Sequence, residues 1–366
     1  IEPEILRGRA PPKQTPFPLQ RNVSEVIKLA KRWDAVNRLR LYLASEVPKK
    51  RRSALTAVQK DELFDRLILD RRGPNAEEAH LARASQDLAP GWRLTDVELS
   101  PDQSLLLYST DLCEMFFAFR ISPERGATNC IAAEVELHHL SDTKAAKLFR
   151  RRFPRGPPQE RVLMALFTEP MGDLNAVDYA QEAHGAVLQS GGSWLPEHRI
   201  LGQQPLPRGD WLEMLTVDDH CGIALVPRSN PDGASPGRRL AEQSFSAAAA
   251  VYAKIPGLDV HPTKGLAGVS KGVLLGAEID GEAGTVGAQQ ARRLALCRST
   301  LLLVRQRRAR GRTLRQLIGG WTYAACFQRH ALSLFSEIYR ALPDPKHDES
   351  YLDLDRSVVS ELLAMS

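Results

Sequence analysis

The sequence predicts a mixed fold of α/β or α+β class that runs into a helical C-terminal unit. Three observations carry this reading. Short β-rich runs bounded by Gly, Pro, Asn and Asp recur through the first three quarters of the chain; stretches with helical spacing of apolar residues separate them; and from residue 289 to 342 the pattern is helical throughout.

The first 20 residues carry five prolines and little periodicity, so they read as an arm or as the edge of a longer polypeptide. Over residues 23–43 the positions Val26, Ile27, Leu29, Ala30, Trp33, Val36, Leu39 and Leu41 fall at helical spacing. Residues 67–69 form a short strand-like run closed by Arg-Arg-Gly-Pro-Asn, a turn signal. Residues 105–108 and 116–121 flank Asp111 with strand and short-helix character, and a proline-rich break at 154–158 precedes a strand over 162–167 and a helix over 175–188. WLEMLTVDDHCGIALV, residues 211–226, has two β-rich arms meeting at Asp218, Asp219 and His220, which predicts a hairpin with acidic residues at its tip. The alanine-rich segment 238–254 is a helix stopped by Pro256 and Gly257. Residues 273–279 read as one strand ended by Asp280-Gly281. Beyond residue 289, Leu294, Cys297, Leu301 and Val304 share a helix face opposite a row of arginines.

Composition narrows the class. The 366 residues are 25% charged and 6% aromatic, with 25 Gly and 24 Pro, a globular mixture that excludes disordered and collagen-like chains. The length suggests two or three structural units. Cys113, Cys130, Cys221, Cys297 and Cys326 lie far apart with no CxxC pair, which argues against a disulfide scaffold or a zinc finger. No apolar run is long enough to span a membrane and the opening residues do not read as a signal peptide, so a cytoplasmic or nuclear protein is expected. The net charge is only +5, but basic clusters recur at 48–52 (PKKRR), 149–155 (FRRRFPR) and 305–315 (RQRRARGRTLR). One such cluster is ordinarily a solvated face; three point to a polyanion partner, because neutralised phosphates release their counterions. The PKKRR run has the composition of a nuclear import signal, but a nucleic-acid contact or a solubilising face is the better reading. The clusters at 48–52 and 305–315 hold no aromatics, so these two are not single-strand stacking platforms.

The adjacent carboxylates of Asp218 and Asp219 repel unless a cation neutralises them, and a divalent metal is the usual remedy. Acidic turns are common and most bind nothing. Asp111 changes the weighting, because it emerges at the end of the apolar run LLLYST, ahead of Phe116 and Phe117. Three such carboxylates suit two metals and in-line phosphoryl transfer. His138, His139 and Cys130 lack zinc spacing, and His220 reads as a hairpin residue.

Six segments follow one another in order: KDELFDRLILDRRGPN (60–75), STDLCEMFFAFR (109–120), EPMGDLNAVDYAQ (169–181), LTVDDH (215–220), GLDVHPTK (257–264) and LLGAEI (274–279), with the helical stretch 313–342 after them. Their content and order resemble reverse transcriptases, especially those of gypsy-like and tyrosine-recombinase (DIRS-type) retroelements. The resemblance implies an α+β right-hand polymerase fold. An arm and helix (1–43) would precede fingers (44–108 and 122–165), a palm of antiparallel sheet and helices (109–121 and 166–280), a thumb (281–342) and a C-terminal tail (343–366).

The resemblance further implies a nucleotidyltransferase, an RNA-directed DNA polymerase extending a primer from dNTPs. Asp111, Asp218 and Asp219 would be catalytic and, with the Leu112 carbonyl, would hold two Mg²⁺ ions, Mn²⁺ being a substitute. Lys60 and Arg66 would grip the triphosphate, Asp70, Arg72 and Asn75 would shape the fingers turn, and Met171 and Gly172 would contact the nucleotide. Phe116 would be the gate against a ribose 2′-OH, and Lys264 would sit near the pyrophosphate. Gln181 would lie on the template-supporting helix, Leu275 and Gly276 in the primer grip. Arg305, Arg307 and Arg308, with Arg292, Arg293 and Arg312, would track the duplex backbone. On residue type alone, Phe116 also fits a core aromatic and Lys60 and Arg66 fit surface charge.

The implied partners are an RNA or DNA template with its primer and dNTPs, with no membrane. No ribonuclease H, integrase or protease segment is visible, so such functions are expected elsewhere in a longer retroelement product. The departures are Met171 in place of Gln or Phe, Val177 in place of Pro, and Thr216 in place of the aromatic that supports the primer end. They keep open an alternative, a catalytically impaired or domesticated polymerase-like protein that binds nucleic acid without synthesis.

Overall fold

The computed structural model describes residues 22–366 apart from Asp61, Leu63, Ala82, Pro157, Pro158 and Glu160. The proline-rich arm expected over the first 20 residues lies outside the described residues, as does part of the break at 154–158. The elements begin with α1 (Val23–Ala35), β1 (Leu39–Leu43), β2 (Ala54–Gln59), β3 (Asp65–Asp70), α2 (Arg72–Asn75) and β4 (Gln103–Asp111). They continue through α3 (Pro123–Ala127), β5 (Cys130–Val135), α4 (Lys144–Arg150), β6 (Val162–Leu166), α5 (Ala176–Ser190), β7 (Trp211–Thr216), β8 (Asp219–Pro227) and α6 (Pro236–Tyr252). Then come β9 (Leu266–Val269), β10 (Lys271–Leu274), β11 (Ala277–Asp280), β12 (Thr285–Ala288), α7 (Gln290–Gln306), β13 (Arg308–Arg310), α8 (Gly311–Ala325), α9 (Ser336–Ala341), β14 (Tyr351–Asp353) and α10 (Arg356–Met365). Every pair of named strands is antiparallel, which settles the class as α+β. No helix among the described residues is long and apolar enough to cross a membrane.

The chain divides into two compact units. The first comprises residues 22–87, Leu112–Gly191 and Ala248–His261. Its sheet has the order β1-β6-β5, and β6 is buried along its whole length, as an all-apolar VLMAL strand requires. Val26 and Trp33 of α1 and Phe149 of α4 pack with Leu41 and Met164 of that sheet. A separate hairpin pairs β2 with β3, placing Val58 opposite Arg66.

The periodicity that suggested a helix to residue 43 is broken at Asn37, whose φ of 56° ends α1. The Asn37 amide donates to the Asp34 carbonyl and the Arg38 amide to the Trp33 carbonyl, at 3.0 and 2.7 Å, the paired bonds of a Schellman stop. Leu39 and Leu41 therefore belong to a strand.

The second unit comprises Leu88–Asp111, Gly192–Ala247 and Pro262–Ser366. Its main sheet has the order β7-β8-β4-β9, and a three-stranded sheet has the order β10-β11-β12. The single strand expected over 273–279 is a hairpin, because Leu275 and Gly276 both take positive φ, 46° and 79°, as a tight two-residue turn demands. The uniform helix expected over 289–342 is also interrupted. Arg307 ends α7 at φ 49°, and β13 leaves to pair with β14. Leu294 and Leu301 are about half exposed, whereas Thr300 and Leu303 are the buried residues of α7. Leu303 joins Leu314, Trp321 and Ile338 in a core that α10 completes with Val358, Val359 and Leu362, so the stretch expected to be a tail is part of the packed unit.

Candidate active site

In the second unit, β4 runs antiparallel to β8 with Asp111 directly opposite Asp219. Strand β8 returns from β7 through a two-residue loop, Val217-Asp218, because Thr216 pairs with Asp219. Val217 has φ 55°, at the loop position where tight hairpins place positive φ and usually glycine, so a β-branched residue there stores strain on the order of 1–3 kcal/mol. Two aspartates therefore meet across a strand pair and a third sits on the loop beside them.

Their electrostatics show the cost. Burial, then Asp218, then Asp111 push the Asp219 carboxyl up to about 6, against the opposing pull of Lys264. The Lys264 ammonium pairs with Asp111 at 2.7 Å, and that hydrogen bond raises the affinity of Lys264 for its own proton. Among the described residues, the group of three ligand atoms lying within 4.8 Å of one another is the exposed Glu136, His138 and His139; the aspartates stand looser than that. Like charges held apart and partly neutralised by a lysine, presenting only hard oxygen donors, are a donor set that fits Mg²⁺. In chelator at neutral pH, Asp219→Asn is expected to melt a few degrees above wild type, since it removes a repelled charge. A lower melting temperature would mean the carboxylate is structurally required.

Beneath the loop, His220 is fully buried, as a hairpin residue. Its ring stacks on Phe245 at 4.6 Å, and Nε2 lies 3.4 Å from the buried Glu213 carboxylate. Burial pushes Glu213 up, but hydrogen bonding and charge from His220 and the hydroxyl of Ser244 outweigh it, and the net shift is downward. This bracing of the acidic hairpin is barely legible in the sequence; the one signal for it is a histidine in an otherwise apolar arm.

The first unit holds the remaining expected residues. Lys60 follows β2 and Arg66 lies on β3, both exposed at the hairpin end. Arg72 donates twice to Asp70 from Nε, at 2.9 and 3.0 Å, and once from Nη2 at 2.6 Å, which holds Asp70 below the usual carboxylate range. Asn75 donates to the Gly172 carbonyl at 2.9 Å and accepts from the Leu174 amide at 3.2 Å, while the Leu69 amide donates to the Met171 carbonyl at 2.9 Å. The turn after β3 and the loop carrying Met171 and Gly172 are thus stitched together.

Gly172 has φ 112°, and a Cβ there would stand 1.9 Å from the Leu69 carbonyl oxygen. Gly172→Ala is therefore expected to cost at least about 1–3 kcal/mol in a denaturant melt; an unchanged midpoint would contradict this packing. Leu112 is 1% exposed and Gln181 is 6% exposed on α5. Phe117 packs against the core of the unit, while Phe116 stands half-buried on the 3₁₀ turn Met115–Ala118.

In the second unit, Leu275 and Gly276 form the tip of the β10–β11 hairpin. Arg305 and Arg307 are exposed at the end of α7. Arg308 lies 3.8 Å from Asp353 and over the Tyr351 ring, and so is engaged within the protein.

Comparison with solved structures bears on the fold. The foamy viral protease–reverse transcriptase, solved in complex with double-stranded DNA, superposes with a TM-score of 0.57 at 13% sequence identity, over 100% of this chain and 51% of that one. The fold is reverse-transcriptase-like. The chain spans about half the length of that structure. No protein-family model and no curated protein matches the sequence. Within the reverse-transcriptase-like fold, the acidic strand pair and its loop are the candidate active site.

Proposed function

We propose that this chain is the polymerase core of a retroelement reverse transcriptase of gypsy-like or DIRS type, a nucleotidyltransferase that extends a primer on an RNA or DNA template from dNTPs. The observation that carries the reading is the placement of Asp111 opposite Asp219, with Asp218 on the adjoining loop and Lys264 paired to Asp111. In this reading the β2–β3 hairpin belongs to the fingers, the β7-β8-β4-β9 sheet to the palm, and α7 to α10 to the thumb.

The three aspartates, with the Leu112 carbonyl, would hold two Mg²⁺ ions, which supply charge neutralisation and activation of the primer hydroxyl. Lys264 stands beside the carboxylates as a half-exposed cation, paired to Asp111 and suited to the pyrophosphate oxygens. Lys60 and Arg66 offer an ammonium and a planar fork to the triphosphate.

Thr216 favours a second reading, a protein that binds nucleic acid without synthesis: its hydroxyl lies 3.5 Å from the Ala89 carbonyl, and it offers a primer end no ring to rest on. Primer extension on matched RNA and DNA templates, in Mg²⁺ and in Mn²⁺, separates the two. Templated growth supports the polymerase; tight primer–template binding with no growth in either metal supports the alternative.

Duplex affinity is expected to fall steeply with salt. Replacing Arg305 and Arg307 with Ala should flatten the slope of log K against log salt by about 2, at roughly 0.9 for each phosphate that is no longer neutralised. Arg308→Ala should change it less, since Asp353 and Tyr351 already engage that side chain. An unchanged slope in the double variant would place these arginines away from the duplex.

A further inference from the structure

We propose that Arg71 is a positioning residue for nucleotide binding: with Arg125 it clamps the 169–175 loop, which carries Met171 and Gly172, to the turn after β3. This rests on the polymerase reading for the nucleotide itself, while the clamp is a property of the first unit alone.

Arg71 stands between Asp70 and Arg72, whose side chains face each other at the surface, yet its own side chain is fully buried. From Nη2 it donates to Glu78 Oε1 at 2.6 Å and to Thr128 Oγ1 at 2.9 Å, and from Nη1 it meets Asp173. Arg125 closes the cluster from α3. Its Nη2 donates to the same Asp173 oxygen, Nη1 lies 3.6 Å from Glu78, Nε lies 3.6 Å from Glu169, and its guanidinium sits 4.5 Å from the centre of the Tyr179 ring. Two guanidiniums thus face three carboxylates with almost no access to water. Burial pushes Glu169 up even against both arginines, and brings Arg71 down to about 10.

A buried ionic cluster is a poor device for stability, because desolvation offsets much of the attraction and a well-packed apolar replacement is often as good. It is a good device for fixing geometry, since the Arg71 guanidinium spans from Asp173 to Glu78 and Thr128 while Arg125 meets the same Asp173 oxygen from the other side. The geometry fixed here is specific. Glu169 and Asp173 bracket Met171 and Gly172, and Asp173 also accepts from the Asn175 amide at 2.8 Å through its other oxygen. The other end of the clamp, Arg71, directly follows the strand whose Leu69 amide holds the Met171 carbonyl. The loop expected to touch the nucleotide is therefore held from behind by charge and from the side by backbone bonds.

Two measurements on the full chain test this. Hydrogen–deuterium exchange over residues 169–175 reads the clamp, and the Kd of the next correct dNTP on a dideoxy-terminated primer–template reads positioning without requiring catalysis. Arg71→Met is expected to speed exchange in that loop and to weaken the nucleotide about tenfold or more, the scale of losing a group that orients a ligand contact. Primer–template affinity should stay unchanged. Arg71→Lys should fall between, because an ammonium does not span Glu78 and Asp173 as a fork does. Asp173→Asn, which keeps its acceptor for Asn175, should reproduce Arg71→Met and covers the case in which that variant does not fold.

Unchanged loop exchange in the variants that fold would overturn the clamp. Faster exchange with an unchanged dNTP Kd would overturn the positioning role. A wild-type chain that binds the dNTP but never extends a primer would instead fail the polymerase reading and leave the clamp standing.

Discussion

Asparagine at position 218 is expected to reduce primer extension to background while leaving primer–template binding within about twofold. Asp218 sits on the loop beside the Asp111–Asp219 pair, and its carboxylate is an oxygen donor with no part in the basic surfaces that would hold phosphates. Removing one preorganised charge-stabilising group from a polar active site costs roughly 10² to 10³ in rate, and a metal ligand is expected to cost at least that. The same substitution shortens nothing and buries nothing, so the hairpin should fold unchanged. Equal loss of binding and extension would point to misfolding or to a different role for the loop.

Phe116→Ala is expected to raise ribonucleotide use relative to deoxynucleotide use by roughly tenfold or more, because a gate works by a clash against the wrong sugar. The structure sharpens the contest with the core reading. Of the two adjacent rings, Phe117 packs against the buried residues of the first unit and has the Arg38 guanidinium 4.8 Å from its centre. Phe116 is left half-buried on the turn after Leu112. A core Phe truncated to Ala would cost about 3–5 kcal/mol and lower both activities alike. Single-nucleotide extension with matched sugars, run beside a thermal melt, reads both quantities. A lowered melting temperature with an unaltered sugar ratio would remove Phe116 from the site.

Much of the geometry of the candidate site was legible in the sequence because short-range patterns dictate it. Two β-rich arms around Asp218 and Asp219 gave a hairpin, and an apolar run ending in Asp111 gave a strand with a carboxylate at its end; antiparallel pairing then set Asp111 against Asp219. Where the reading failed, a single backbone conformation overrode side-chain periodicity. Positive φ at Asn37, Leu275 and Arg307 ended a helix, folded a strand into a hairpin and cut a long helix; Asn37 and the Gly276 next to Leu275 are residue types that favour such a backbone, whereas nothing in Leu275 or Arg307 signals it. The ionic cluster of Arg71, Glu78, Arg125, Glu169 and Asp173 was hidden for a different reason. Its members are scattered along the chain, and each looks like ordinary surface charge until the fold buries it.

Two divalent ions held by Asp111, Asp218 and Asp219 are the heart of the proposed chemistry, and counting them is the most direct test. Mn²⁺ bound to the full chain with a dideoxy-terminated primer–template and the next dNTP can be titrated by electron paramagnetic resonance. The expected result is two ions per chain in wild type, with binding weakened in Asp218→Asn and in Asp111→Asn. Mn²⁺ binding that is absent, or that is indifferent to both substitutions, would contradict a polymerase centre at these carboxylates.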